Sequence, residues 1–343
     1  MRVLLEIVHP ADVLFFKRPL EVLLARGDEV QIMSRHKDVA CELLDSFGFG
    51  HSPVSRAGSG LLKLAGELLV RDVRILQAAW RFKPHAMVGF GGVAISHVGR
   101  LTGIPSISFY DSENATLQTK ITRPFISQYY VPESYSGPTP EGRTTRLRGT
   151  KELSYFHPST FTPDRKKALV AGLDPEQNNY FLRVVEWRAN HDIGKSGWTE
   201  ELLQSVLKRL VATGKVHLSS ERDLPDSLER YRYRGEKRLV HHLVAHCDLF
   251  AGESATMATE AAIMGVPAIY AGRDFPGYVC ELEREGLIQN IRDVTETKLN
   301  AAIDVSLGDT KNVFRAKRDA FVASCPDWAQ EVVASLDRHA KGR

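Results

Sequence analysis

The chain has 343 residues, of which 43% are hydrophobic and 25% charged, and its formal net charge at pH 7 is only +3. These values are typical of a soluble globular protein and predict about two domains. Acidic and basic residues are interleaved without a basic tail, so no nucleic-acid partner is expected. The four cysteines show neither a C-x-x-C pair nor a zinc spacing, which favours free thiols. The apolar run 1–8 is too short for a signal peptide or membrane span, so we expect a cytoplasmic protein.

Strand and helix patterns alternate along the first half of the chain. Val3–Val8 is a nearly continuous apolar run, as in a parallel strand buried on both faces. Val13–Arg26 has helical apolar spacing and ends before Gly27. The same alternation continues through the strands Glu29–Met33, Ala86–Gly89, Ser106–Tyr110, Tyr129–Val131 and Thr145–Leu147, and the helices Val39–Phe47, Leu61–Trp80 and Val93–Leu101. This order predicts a doubly wound parallel α/β domain.

A second α/β pattern follows the aperiodic stretch 157–164, which contains two prolines and is the best linker candidate. We therefore predict an N-terminal domain over 1–160, a C-terminal domain over 165–310 and a helical tail over 311–343 that packs back across both. Ligands of open α/β sheets bind beyond the carboxyl ends of the strands. A central cleft between the domains is accordingly the expected site.

The segment 247–273 is the most informative stretch of the sequence. It predicts a strand (Leu249–Ala251), a turn of small polar residues (Gly252–Thr256), a helix (Met257–Met264) and a second strand (Ala268–Ala271). A small-residue loop at a helix N-terminus favours a phosphate, because free backbone N–H groups and the helix dipole both attract anions. The sequence therefore predicts a nucleotide diphosphate sugar site here.

Glu260 follows Thr256 by one helical turn, so we expect its carboxylate to accept hydrogen bonds from the sugar hydroxyls of a bound nucleotide. Glu253 would repel a diphosphate and must either point away or contact a sugar hydroxyl. Arg183, at the end of a predicted strand, would neutralise the diphosphate, or pair with Glu186. The residues predicted to present N–H groups or hydroxyls to the diphosphate are Gly252, Ser254, Ala255, Thr256 and Met257.

Three further groups are candidates for acid and base chemistry. His9 follows the first strand and would act as a base or simply start the helix. Asp111 and Glu113 follow a later strand. One of them would act as base while the other orients sugar hydroxyls, or the two would belong to a turn in which Asp111 caps the segment 114–120. His191 and Asp192 would form a proton shuttle beside the glycine-rich stretch 194–197, or a polar turn. Glycines expected to let a ligand approach the backbone closely are Gly91, Gly92 and Gly197.

Several motifs occur together in one order along nearly the full length of the chain. They are His9-Pro10-Ala11-Asp12, Gly89–Gly92, Tyr110-Asp111-Ser112-Glu113, Gly149-Thr150-Lys151-Glu152-Leu153, Ala189-Asn190-His191-Asp192 and Thr256-Met257-Ala258-Thr259-Glu260-Ala261-Ala262. With these motifs in this order, the chain resembles the DUF354 family. That family is similar to GT-B glycosyltransferases, to UDP-N-acetylglucosamine 2-epimerases and to MurG-type transferases.

The resemblance implies a GT-B architecture, with two Rossmann-like domains that face a central cleft. It implies nucleotide binding by the C-terminal domain, with Glu260 on the ribose, and acceptor binding by the N-terminal domain. It also implies that neither metal nor cofactor takes part, and the chain has no D-x-D triplet. We therefore expect a glycosyltransferase that uses a UDP-sugar, and a glycan or lipid-linked acceptor, in surface glycan or polysaccharide synthesis.

Two other functions stay open at this point. The chain could be a UDP-N-acetylhexosamine 2-epimerase that uses Asp111 and Glu113, or a non-catalytic nucleotide-sugar-binding subunit. A homodimer also stays open. The Leu61–Trp80 helix carries Lys63, Arg71, Arg74 and Arg81 beside apolar positions, which is compatible with peripheral contact on the inner face of the cell membrane. The alternative is a helix that packs on the core and has a solvated outer face.

Overall fold

The structure is a computed structural model that describes residues 1–37, 39–56, 58, 60–185, 197–308 and 311–340. The contacts divide it into two compact units. Unit 1 comprises Met1–Tyr155 with Pro326–Arg343, and unit 2 comprises Phe156–Cys325. The predicted boundaries at residues 160, 165 and 310 stay predictions, whereas these two units are the ones used below.

Unit 1 is built on a parallel sheet that alternates with helices, as the sequence predicts. Its strands are β1 (Arg2–Ile7), β2 (Glu29–His36), β3 (His51–Arg56), β4 (Ala86–Phe90), β5 (Ser106–Phe109), β6 (Gln128–Pro132) and β7 (Thr144–Leu147). Its helices are α1 (Pro10–Ala25), α2 (Ala40–Ser46), α3 (Leu61–Phe82), α4 (Val93–Thr102), α5 (Thr116–Thr122) and α6 (Leu153–Phe156). The strand order is β3-β2-β1-β4-β5-β6-β7. All pairs are parallel, and the order in which successive strands are added reverses between β1 and β4.

Unit 2 has a smaller parallel sheet. Its strands are β8 (Asn178–Val184), β9 (Gly214–Ser220), β10 (Leu249–Gly252), β11 (Ala268–Tyr270) and β12 (Ile288–Asn290). Its helices are α7 (Arg165–Val170), α8 (Glu200–Val211), α9 (Asp226–Glu229), a 3-10 turn (Lys237–Leu239), α10 (Val240–Val244), α11 (Ala255–Ile263), α12 (Gly277–Arg284), α13 (Glu296–Gly308) and α14 (Lys311–Ala323). The order is β12-β11-β10-β8-β9, with its reversal between β10 and β8. The prediction of two doubly wound parallel α/β domains is confirmed.

Each sheet is buried because helices cover both of its faces. In unit 1, Leu4 and Met87 of the sheet pack against Ile75 of α3 and Ile95 of α4 in one core layer. In unit 2, the buried cluster joins strand residues such as Leu182 and Ala251 to Leu203 and Leu207 of α8. Fully burying such a side chain contributes about 1.5–3 kcal/mol, so these layers hold the strand ends in place.

The predicted C-terminal tail consists of two helices with different locations. Helix α14 belongs to unit 2, where the Arg318 guanidinium donates to the Ile263 carbonyl at 2.9 Å. The final helix, α15 (Trp328–Ala340), belongs to unit 1. There Trp328 is fully buried against Phe15, and its indole N–H donates to the Arg148 carbonyl. Pro326 separates the two helices, because proline ends a helix at the preceding residue.

Candidate functional site

The sheet of unit 2 places the predicted anion-binding residues at its point of reversal. Strands β8 and β10 are parallel neighbours, and Arg183 lies directly opposite Gly252 at their carboxyl ends. Ligands of doubly wound sheets bind at this kind of crevice, where neighbouring strands lead to helices on opposite faces. A Cβ atom on Gly252 would lie 2.1 Å from the Arg183 carbonyl oxygen, so only glycine fits where the two strands approach.

Helix α11 begins immediately after this crevice. Ser254 is its N-cap, and its hydroxyl accepts the N–H of Met257 at 3.3 Å. The first N–H groups of a helix have no intrahelical acceptor. Those of Ala255 and Thr256 have no protein acceptor within the residues that the structure describes. These two amides and the helix dipole lie at a half-buried surface, and they are the groups that the sequence predicts to bind an anion.

Glu253 is directed away from the start of α11. Its carboxylate accepts the N–H of Trp198 at 2.7 Å and the N–H of Val185 at 3.1 Å. The side chain is buried, and its negative charge is met by the backbone amides of Val185, at the end of β8, and Trp198, just before α8. Of the two alternatives considered for Glu253, the structure favours the one in which it points away. Repulsion of a diphosphate by this residue is thereby reduced.

Glu260 lies one turn further along α11, buried apart from a small exposed fraction. Its carboxylate is 3.2 Å from Nε2 of His241 in α10. The His241 ring in turn packs against Phe156, with 4.7 Å between ring centroids. This contact holds the carboxylate in place, and its predicted hydrogen bonds to the sugar hydroxyls of a nucleotide stay a prediction.

Arg183 is held within unit 2 by two polar side chains, and its predicted roles stay predictions. Its guanidinium donates to the Ser219 hydroxyl at 2.7 Å and pairs with Glu221, both at the end of β9. Glu186 lies outside the described residues, as do His191 and Asp192. Gly197 is half-buried and precedes Trp198, whose indole N–H donates to the Ala271 carbonyl at 2.9 Å.

The candidate residues of unit 1 follow three consecutive strands of its sheet, β1, β4 and β5. His9 is the exposed N-cap of α1, and its Nδ1 accepts the N–H of Ala11 at 3.2 Å. Gly91 and Gly92 have φ of +76° and +53°, which favours glycine. The group that approaches Gly91 most closely is the Gln118 side chain, 2.0 Å from the position of an added Cβ.

Asp111 is a member of a buried charged cluster. Its carboxylate is 2.6 Å from Nζ of Lys151 and also accepts the Ser112 hydroxyl at 2.9 Å. Lys151 is 2.8 Å from the carboxylate of Glu152, which is fully buried after β7. Glu113 is less buried, and it accepts the backbone N–H of Ser136 at 3.4 Å. Both side chains are buried, so Lys151 and Glu152 do not form an ordinary surface ion pair.

Solved structures with the same architecture identify the fold. A spinosyn forosaminyltransferase is similar to this chain over 99% of both chains, with a TM-score of 0.70 at 13% identity. A spinosyn rhamnosyltransferase complexed with thymidine diphosphate is similar over 98% of this chain and 100% of its own, with a TM-score of 0.67 at 15% identity. The chain has the fold of the GT-B glycosyltransferases.

The same GT-B fold occurs in an epimerase. The UDP-GlcNAc 2-epimerase of Methanocaldococcus jannaschii is similar over 98% of this chain and 100% of its own, with a TM-score of 0.68 at 13% identity. No family model and no curated protein sequence matches the chain. At such low identities the comparisons show the fold alone, so membership of the DUF354 family stays a prediction.

Within the described ranges, no three His, Cys, Asp or Glu side chains are grouped as a bound metal ion would require. The expectation that metal and cofactor are dispensable stays a prediction.

Three residues that contact the predicted site residues were not identified as candidates from the sequence. They are Lys151 and Glu152, in the cluster with Asp111, and His241, beside Glu260. Lys151 and Glu152 follow the carboxyl end of β7. A position just after a strand is the same signal that identified Asp111, which follows β5, two strands away in the sheet. His241 and His242 are adjacent residues of α10. Both are half-buried: His241 contacts Glu260, and His242 stacks on Phe161 and accepts the N–H of Asp164.

Asp12 provides a pH-dependent test of the α1 N-terminus. Its carboxylate accepts the N–H groups of Val8 and His9, each at 2.9 Å, and burial raises its pKa from 3.8 to about 7. Since the folded-state pKa is raised, the protonated form stabilises the fold below about pH 4. That contribution is lost as the pH rises through 7.

Asp12→Asn cannot ionise and retains an acceptor oxygen. We expect its free energy of unfolding, relative to that of the unsubstituted chain, to increase between pH 4 and pH 8 by up to about 4 kcal/mol. Urea unfolding at pH 4 and pH 8 measures the difference, with the exposed Asp223→Asn as control. An Asp12→Asn effect that is equal at both pH values would contradict this assignment.

Proposed function

We propose that this chain is a glycosyltransferase that binds a nucleotide diphosphate sugar, most favourably a UDP-sugar, on unit 2. The observation that carries the proposal is that the two acidic residues around the α11 N-terminus, Glu253 and Glu260, have different partners. Glu253 is directed towards the Val185 and Trp198 amides, which leaves the Ala255 and Thr256 amides for a diphosphate. Glu260, one turn further on, is held by His241 for the ribose hydroxyls.

A comparison between the two units supports this placement of the donor. In unit 1, the N-terminus of α4 already faces a carboxylate of the protein itself, because Glu6 accepts the N–H of Ile95 at 3.4 Å. A diphosphate there would compete with this side chain for the helix N–H groups. The α11 N-terminus has only the neutral Ser254 cap, so its dipole is left for a bound anion.

Helix dipole and amide groups would also act in catalysis. Breaking the bond between the sugar and the diphosphate places additional negative charge on the leaving group. Preorganised N–H donors that meet this charge lower the barrier, and they do so without a metal ion. Arg183, fixed by Ser219 and Glu221 at the next strand end, would add a positive charge near the same crevice.

The acceptor hydroxyl, on a glycan or a lipid-linked sugar, requires a base, and unit 1 carries two candidates. Both oxygens of Asp111 have partners, Lys151 and Ser112. His9 is exposed at the end of β1, and imidazole titrates near neutral pH. We therefore propose His9 as the base and Asp111 as a residue that orders the surrounding loops. A DUF354-type role in cytoplasmic synthesis of surface polysaccharide is part of this proposal.

A panel of nucleotides tests the donor site. We expect UDP, or its sugars, to raise the melting temperature of the protein more than GDP, CDP, ADP or TDP. A ligand at 100 times its Kd stabilises the folded state by about 2.7 kcal/mol. Equal and negligible shifts with all five nucleotides at millimolar concentration would contradict the proposal.

An epimerase is the second candidate, and two observations favour it. Asp111 and Glu152 are two buried carboxylates bridged by Lys151, and UDP-GlcNAc 2-epimerases share the fold. Epimerisation needs an acid and a base but no acceptor. Incubation with UDP-sugars alone separates the candidates: a C2 epimer, or free sugar plus UDP, indicates the epimerase. A requirement for an added acceptor indicates the transferase.

A further inference from the structure

Helix α3 has an apolar outer face. Its side chains Leu62, Leu69, Val73 and Trp80 are 91%, 67%, 52% and 63% exposed. At about 100° per residue, these four positions project within about 40° of one another. The opposite face carries the buried Ile75 and Ala78 that pack on the sheet. An ordinary surface helix has polar side chains outward, so folding alone does not account for this stripe.

Positive charges flank the apolar stripe on one side. Lys63, Arg74 and Arg81 are exposed, and they lie about 100–120° around the helix from Leu62. The two acidic residues of α3 face other partners. Glu67 pairs with Arg35 and Arg71, and Asp72 pairs with His97. The outward side of α3 therefore combines apolar and cationic groups.

The two neighbouring helices extend this surface. His97 of α4 binds Asp72 of α3 on one side and the Ile121 carbonyl of α5 on the other, so the three helices lie in one layer. Leu101 of α4 and Leu117 of α5 are largely exposed. Arg100 and Lys120 are exposed beside them, and neither α4 nor α5 contains an acidic residue.

We propose that the outer face of α3, α4 and α5, the α3 face hereafter, binds an anionic lipid surface. An interfacial helix that lies in the membrane plane combines an exposed apolar stripe with lysine or arginine at its border. Tryptophan and long basic side chains are favoured at the level of the lipid headgroups. None of the described helices is long and apolar enough to cross a bilayer, so the contact is a peripheral one.

Charge argues for a lipid surface over a second copy of the chain. A two-fold contact presents the same surface on both partners. If α3 packed antiparallel on its copy, Lys63 of one chain would lie near Arg81 of the other; if it packed parallel, each cation would meet itself. Neither arrangement brings an exposed carboxylate of α3, α4 or α5 to these cations. Anionic headgroups complement them.

Co-sedimentation with vesicles tests the proposal. We expect the protein to bind vesicles of 30% phosphatidylglycerol in phosphatidylcholine, and to bind pure phosphatidylcholine at least tenfold more weakly. Each basic residue near an anionic surface strengthens binding about fivefold. Lys63→Gln with Arg81→Gln should thus weaken binding about 25-fold, and 0.5 M salt should have a similar effect. Leu69→Ser with Trp80→Ser should weaken binding at either salt concentration.

Two matched controls lie on unit 2. Lys208→Gln removes an exposed lysine of α8, and Val170→Ser removes a largely exposed apolar side chain of α7. Both should bind vesicles like the unsubstituted chain, and the melting temperature of every variant should confirm folding. The proposal is overturned if phosphatidylglycerol does not increase binding, or if the α3 variants bind like the controls. It is also overturned if sedimentation velocity shows a dimer that Leu69→Ser with Trp80→Ser dissociates, because a second copy would then cover this face.

Discussion

Lys151→Met is expected to lower the free energy of unfolding by about 3–5 kcal/mol, the largest stability effect that we predict. The ammonium group lies buried between the carboxylates of Asp111 and Glu152, at 2.6 and 2.8 Å. Methionine has a similar length but no charge, so both carboxylates lose a buried partner. Removing one member of a buried ion pair leaves an uncompensated charge, and that cost exceeds the value of the pair itself.

The melting temperature should fall by roughly 10 °C, since 1 kcal/mol corresponds to about 2–4 °C in a domain of this size. Calorimetry measures the shift, with the exposed Lys120→Met of the same unit as control. Combining Lys151→Met with Asp111→Asn should restore part of the loss, because one of the two unpaired charges is then removed. A Lys151→Met protein as stable as the Lys120→Met control would show that the cluster is not energetically coupled.

Glu260→Gln is expected to weaken binding of a ribonucleoside diphosphate by roughly 30-fold, or about 2 kcal/mol. Glutamine keeps the shape and an acceptor for His241, but hydroxyl groups bind a neutral amide oxygen more weakly than a carboxylate. Calorimetric titration with UDP and with 2′,3′-dideoxy-UDP separates the ribose contribution. The unsubstituted protein should prefer UDP, and Glu260→Gln should lose most of that preference.

Glu281→Gln is the matched control for this titration, since Glu281 is a similarly buried acid on the adjacent helix α12. It should bind both nucleotides like the unsubstituted chain. If Glu260→Gln retains the full preference for UDP over the dideoxynucleotide, then Glu260 does not contact the ribose. The buried carboxylate would in that case serve only to hold His241 and α10 against α11.

Apolar runs were sufficient to predict most of the fold. Val3–Val8 and Ser106–Tyr110 are nearly continuous hydrophobic segments, and a strand buried on both faces requires them. Strands β3 and β12, which lie at sheet edges, were missed, although the edge strand β7 was predicted. His51–Arg56 contains serine, histidine and proline, a composition that resembles a loop.

Local signals also located the start of α11, although two residues too late. Ala255 and Thr256 were assigned to the turn, whereas Ser254 is the N-cap and both are helical. Small polar residues fit either a turn or the first turn of a helix. The N-cap could have been recognised from the serine itself, since serine is among the preferred residues at that position.

The candidate sites could be predicted only in part, because several decisive contacts join residues far apart in the sequence. Glu253 is 55 residues from Trp198, and Asp111 is 40 residues from Lys151. A sequence pattern shows that a glutamate follows a strand, but it does not show which backbone amides its carboxylate meets. For the same reason, the sequence does not show that the ends of β5 and β7 bring Asp111, Lys151 and Glu152 into one buried cluster.

The central claim is that the α11 N-terminus binds a diphosphate, and a crystal structure of the complex with UDP tests it most directly. Both phosphates should lie within hydrogen-bond distance of the Ala255 and Thr256 amides, with the ribose hydroxyls against the Glu260 carboxylate. A nucleotide bound elsewhere on the chain, or crystals that stay empty at millimolar UDP, would contradict the account.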